Sequence, residues 1–138
     1  MTDTTASGAR IPWIVSLDDH VVEPPDIWTS RLPAKYRDVG PRMAGSDNGA
    51  VWQYEDLRSP TAGLSVAAGK EKEEFSPMPV SYDDMRPGAY DPLARVEDMN
   101  RAGILASLNF PSFPRFCGQA FYEAKDKELA ALCVRSEE

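Results

Sequence analysis

The chain has 138 residues, 42% of them hydrophobic and 27% charged, with a formal net charge of −7 and a pI near 4.7. That length suits one domain with a real core and is short for two. None of the 15 basic residues cluster, which argues against a nucleic-acid partner, whose phosphates need a basic patch, and against an anionic membrane surface.

Residues 1–10 are small and polar and read as a flexible amino terminus without a secretory signal. No stretch approaches the ~20 apolar residues of a membrane span. Cys117 and Cys133, in a chain that shows no signal, read as free thiols, and a cytoplasmic location is expected. Ile11-Pro12-Trp13-Ile14-Val15-Ser16-Leu17 is a largely apolar, β-branched run that stops at Asp18-Asp19-His20. This is the pattern of a buried strand with polar residues crowding its carboxyl end.

Pro24-Pro25 interrupts regular structure, and Asp26 is placed to cap a short helix through Ile27-Trp28. Residues 40–90 are rich in Gly and Pro and read as irregular. Within them Asn48-Gly49 signals a hairpin turn ahead of the alternating Val51-Trp52-Gln53-Tyr54. The charge run Lys70 to Glu74 reads as a solvated turn or one exposed helical turn.

Order returns at Asp91, a helix cap followed by Pro92 at the first helical position, with Gly103 closing the element. Leu93, Val96 and Met99 recur on one face, predicted to be the buried one, with Arg95 and Asp98 turned outward. Ile104 to Phe110 reads as a second buried strand that Pro111 and Pro114 end in a loop. A helix is predicted from about Gln119 to Val134, with Glu123 and Lys127 paired four residues apart. The order strand, excursion, helix, strand, helix predicts an α/β fold with parallel strands. The excursion over residues 21–90 far exceeds an ordinary βα loop of ~2–6 residues. It is expected above the carboxyl ends of the strands, where such folds keep their sites.

The sequence holds one histidine. Two-histidine zinc motifs, a two-histidine iron triad and zinc-finger spacings therefore cannot be built from this chain alone. There is no phosphate-binding glycine loop and no G-x-S-x-G elbow. Asp18 and His20 remain, spaced two apart so that an extended strand points both to one side. They could offer a carboxylate oxygen and an imidazole nitrogen to one divalent ion at about 2.0–2.2 Å. D-x-H is a weak pattern by itself, and His20 could equally cap the strand end or bond a backbone carbonyl.

The wider context is more specific. Asp18-Asp19-His20-Val21-Val22-Glu23-Pro24-Pro25-Asp26-Ile27-Trp28 resembles the start of amidohydrolase-related proteins of the aminocarboxymuconate-semialdehyde decarboxylase type. So do Leu32-Pro33-Ala34-Lys35-Tyr36-Arg37, the segment Asp91 to Met99, and Phe110-Pro111-Ser112-Phe113-Pro114-Arg115-Phe116. The resemblance spans about Ile14 to Arg135. It implies a (β/α)8 TIM barrel with one divalent metal, usually zinc and sometimes manganese, for which Asp18 and His20 would be the first-strand ligands. Later strands would supply the others.

The fold expected here is thus a partial barrel: the first two strands and their helices over residues 11–138, with a long irregular insertion at 21–90. A complete barrel takes ~250 residues, so the chain reads as an amino-terminal fragment, through a frameshift, an early stop or a split gene. Its last residues look like a helix broken off in mid-course. The parent would be a non-oxidative carboxy-lyase of an unsaturated or aromatic acid, or a hydrolase, acting on a small carboxylate-bearing or aromatic substrate. A rival of another class is a non-catalytic remnant or interaction module, prone to self-association through an unpaired barrel edge.

Other residues are open to two readings. Glu23 could orient His20 or simply shape the loop before the proline pair. Trp28 reads as packing. Phe113 and Arg115, after the second strand, could contact substrate, against a reading in which the phenylalanines (Phe110, Phe113, Phe116) are core and Arg115 is solvated. Cys117 reads as structural.

Overall fold

A computed structural model of the chain describes residues 13–45, 49–61 and 63–135. The expected flexible segment 1–10, Ile11-Pro12, Asn48 of the expected turn and residues 136–138 lie outside it.

Strand β1 (Ile14–Val21) pairs in parallel with β5 (Ile104–Pro111), and helix α2 (Pro92–Ala102) leads into β5. The local chemistry of α2 is as its sequence predicts. The Asp91 carboxylate accepts from the Ala94 amide at 2.9 Å, Pro92 fills the first turn, and Gly103 closes the helix at φ 70°. Parallel pairing follows because a helical crossover returns the chain in the same direction.

Burial differs from expectation. Both strands were predicted buried, yet Ile14, Val15 and Leu17 on β1 and Leu105 and Leu108 on β5 are exposed, Leu17 at 70%. The face of α2 is inverted as well. Leu93 is 79% and Val96 53% exposed, whereas Arg95 and Asp98 turn inward. Arg95 pairs with Asp19 at 2.8 Å, and Asp98 is gripped by Arg86 through two hydrogen bonds, Nε–H to Oδ2 being 2.5 Å. Apolar periodicity marks what a helix can bury. In this chain α2 is tied to Asp19 and Arg86 through ion pairs, and of its apolar stripe Leu93 and Val96 are exposed while Met99 is half-buried.

The core lies elsewhere. The excursion is less irregular than predicted: β2 (Arg42–Ala44), β3 (Val51–Tyr54) and β4 (Leu57–Pro60) form an antiparallel sheet with β3 central. The Lys70–Glu74 run does form one exposed turn, of 3-10 type over Lys72–Glu74. Trp28, on the short helix α1 (Ile27–Arg31), is fully buried. It packs edge-on against Trp52, Phe113 and Phe121 at centroid distances of 4.9, 5.3 and 5.8 Å, and its indole N–H donates to the Cys133 carbonyl at 3.1 Å. Leu32, Tyr54, Leu129 and Cys133 complete this centre, so the insertion and the carboxyl-terminal helices share one hydrophobic core. Cys117 is exposed, Cys133 is buried, and no disulfide joins them.

The single helix predicted over 119–134 is two, α3 (Gln119–Glu123) and α4 (Lys127–Arg135). Ala124 is extended at ψ 146°. The amides of Lys125 and Asp126 donate to the Glu55 carboxylate, and Asp126 accepts from the Leu129 amide at 3.0 Å. Asp126 thus starts a new helix in the manner of an N-cap. The break separates Glu123 from Lys127. Glu123 instead accepts from Gln119 at 3.1 Å, and Lys127 donates to the Tyr122 carbonyl at 2.5 Å.

Candidate functional site at the carboxyl end of the first strand

The register of β1 on β5 slips just before the polar cluster. Ser16 opposes Ser107 and Asp19 opposes Asn109, so three steps on β1 match two on β5. This is a bulge at Leu17-Asp18, a device that re-aims side chains at strand ends. Its effect is to sort the three polar residues. Asp19 turns towards α2, accepting from Ser16 at 2.8 Å and from Arg95 at 2.8 Å. The Ser16 hydroxyl above all, with Ser107 and Arg95 adding to it against partial burial, holds the Asp19 carboxyl below its ordinary range.

Asp18 and His20 come together on the other side. His20 Nε2 lies 3.5 Å from Asp18 Oδ1, with both side chains largely exposed, at 62% and 84%. The ring of Phe110, the register partner of His20, tilts beside it at 5.9 Å between centroids. No group of three or more His, Cys, Asp or Glu side chains able to hold a metal is found among the described residues. As a donor set the pair suits part of a zinc or manganese site and falls short of the three protein ligands of catalytic zinc.

Glu23 is 4% exposed. Its carboxylate accepts from the Ser112 amide at 2.8 Å and from the Phe113 amide at 3.1 Å, and the Ser112 hydroxyl donates to the Val21 carbonyl at 2.7 Å. Tyr82 donates to the Glu23 carbonyl at 2.6 Å. Glu23 therefore bolts the end of β1 to the start of the loop after β5, which is the loop-shaping role. Burial pushes its carboxyl up from its ordinary value, with the backbone hydrogen bonds opposing that rise only in part.

The two residues expected to meet substrate part company. Phe113 is 2% exposed and belongs to the aromatic core, since the loop doubles back beneath Trp28 and Trp52. Arg115 is exposed, at φ 63°, and Phe116 beside it is 78% exposed. What sequence reasoning missed is the network of Asp19, Arg95, Ser16, Ser107 and Asn109. Its signal was present: Ser16 and Ser107, polar residues inside two strands read as buried, needed partners.

No family model matches the sequence, and no curated protein shows significant similarity to it. Solved structures do match. A crystal structure of an amidohydrolase from Mycobacterium avium subsp. paratuberculosis K-10 is similar over 93% of this chain, with a TM-score of 0.60 and 18% identity. The chain has an amidohydrolase-like fold. It spans 37% of that structure's length. At this identity the likeness is one of fold.

Proposed function

We propose that the chain is the amino-terminal portion of a metal-dependent enzyme of amidohydrolase type, built on a (β/α)8 barrel, with Asp18 and His20 as its first-strand ligands. The observation that carries this reading is the pairing of the two side chains on one exposed side of β1, just past a bulge that turns Asp19 away. The likeness of fold supports the barrel, and the context of Asp18, His20, Glu23 and Pro24 favours a carboxy-lyase acting on an unsaturated or aromatic acid over a hydrolase. Zinc, or manganese, would polarise such a substrate or activate a bound water. Because two donors are too few for that chemistry, the remaining ligands belong to polypeptide beyond these residues. The chain's own contribution is to hold the pair at 3.5 Å and to seat the Phe110 ring beside it.

The test uses the one histidine as its reporter. Zinc added to the chain should shift the His20 ring resonances, and Asp18→Ala should weaken that response about tenfold. A ring signal indifferent to millimolar zinc, or a response unchanged in Asp18→Ala, would falsify the ligand assignment.

A second reading has an observation of its own. The uncovered apolar side chains of β1, β5 and α2 favour a chain that works by association, as an interaction module without turnover. Absence of metal-dependent turnover in any assembly the chain enters would decide for it.

A further inference from the structure

Glu23 and Thr61, at 4% and 7% exposure, are the buried polar residues among those described, and both line one small cavity. Its volume is about 110 Å³, the bulk share of about three to four waters at ~30 Å³ each. Ser59 and Ser112 line it as well, with Trp52 and Phe113 in its apolar wall. The cavity is formed where the insertion's sheet, the residues after β1 and the loop after β5 meet. It does not include Asp18 or His20.

Charge decides what this cavity can take. The Glu23 carboxylate is held by the backbone amides of Ser112 and Phe113, but no lysine, arginine or histidine pairs with it or lines the cavity. An ionised carboxylate taken out of water without an opposite charge is costly. Around it stand hydroxyls. The Thr61 amide and carbonyl are engaged by Ala50 and Val80, whereas its buried hydroxyl has no partner among the described residues. Ser112 gives its proton to the Val21 carbonyl and keeps lone pairs to offer. Hydroxyls donate or accept and so discriminate little, which leaves the sign of a ligand to Glu23. An anion is repelled, and water fills the space without balancing the charge. One carboxylate balances one positive charge. No group of three His, Cys, Asp or Glu side chains is found among the described residues, so the set is poor in the carboxylates a divalent ion seeks.

We infer that this cavity binds a monovalent cation of about the size of potassium or ammonium, balanced by Glu23 and held by the oxygens of Thr61, Ser59 and Ser112. The ion would offset the one uncompensated buried charge of the core and give the Thr61 hydroxyl a partner. The inference stands apart from the metal reading, because none of its groups is a proposed ligand of zinc.

The probe is potassium chloride, exchanged near pH 7 and at constant ionic strength for the chloride of N-methyl-D-glucamine, a cation too bulky for the cavity. In the ¹⁵N-labelled full chain the Ser112 and Phe113 amides, which donate to Glu23, should move saturably. The urea midpoint should rise with the same half-saturation, as it does for any ligand of the folded state. Ammonium chloride is the second arm, and the ion with the lower half-saturation is the better fit. Glu23→Gln removes the charge, keeps an oxygen for the two amides and should abolish both responses. Thr61→Val removes only a hydroxyl. It should raise the half-saturation about tenfold without lowering the midpoint in the organic salt, where that hydroxyl has no partner. Amides that drift without saturating, or a midpoint that rises equally in wild type and Glu23→Gln, would overturn the inference, and the cavity would then hold water alone. Zinc and the His20 ring test the other site independently, so the two readings fail separately.

Discussion

Glu23 carries an acid-sensitive consequence, because its carboxyl is raised from the ordinary 4.5 by burial. A raised folded value means that the folded chain holds the proton more tightly than the unfolded chain. Stability from this group is full below about the ordinary value and falls as the pH rises through the folded one. Asp19 has the opposite sign. Its carboxyl, lowered from 3.8 chiefly by Ser16, adds stability above that value which is lost as the pH falls further. Urea titrations of the wild type should show a decline in stability from about pH 4.5 upward that is missing in Glu23→Gln. An identical slope in the two proteins would show that the Glu23 carboxyl does not titrate in that window. Trp28 belongs to the same scale: it is fully buried among three other aromatic side chains. Trp28→Ala should cost ~3–5 kcal/mol, enough to abolish the dispersed aromatic signals of the core in a proton spectrum.

At the scale of the element, α2 is specified at both ends by single residues. Asp91→Ala removes the carboxylate that accepts from Ala94 and should lower stability by about 1 kcal/mol. Gly103→Ala forces a side chain into φ 70°, where nothing crowds the added carbon, so its cost should be conformational, again ~1 kcal/mol. Both are read from shifts in the urea midpoint, and a change under a few tenths of a kcal/mol at either site would contradict the capping argument. These ends were legible because a cap and an αL glycine are local events. The break at Ala124–Asp126 was legible only in part. Asp126 had the chemistry of a cap, but the Glu55 carboxylate that holds the Lys125 and Asp126 amides lies far away in sequence, on the turn between β3 and β4.

For the whole molecule, the decisive contrast lies between a well-filled core in the insertion and a two-stranded parallel sheet left open. Trp28, Trp52, Phe113 and Leu129 bury one another, while Leu17, Leu93, Leu105 and Leu108 face outward. Such uncovered apolar surface and strand edges predict association. The isolated chain should elute above its monomer mass in gel filtration, increasingly so with concentration. Its thermal unfolding should be broad, because the core and the open sheet share few contacts that would make them melt together. A strict monomer with one steep transition would show that the open sheet is stable unaided.

The strand–helix–strand order of β1, α2 and β5, the ends of α2 and the parallel pairing of β1 with β5 were determined by the sequence alone. Each depends on residues close in the chain or on a period of two or 3.6. Other matters were decided only by the tertiary structure: which apolar faces are covered, where the core sits, and what Glu23 and Phe113 touch. Apolar periodicity states a capacity for burial, and a partner must be present for burial to occur. Leu93 and Val96 have the capacity without the partner, and Phe113 found its partners in Trp28 and Trp52 by a fold-back of the chain that no local pattern records. The bulge that turns Asp19 to Arg95 and leaves Asp18 with His20 belongs with these, since it exists only in the register between two strands.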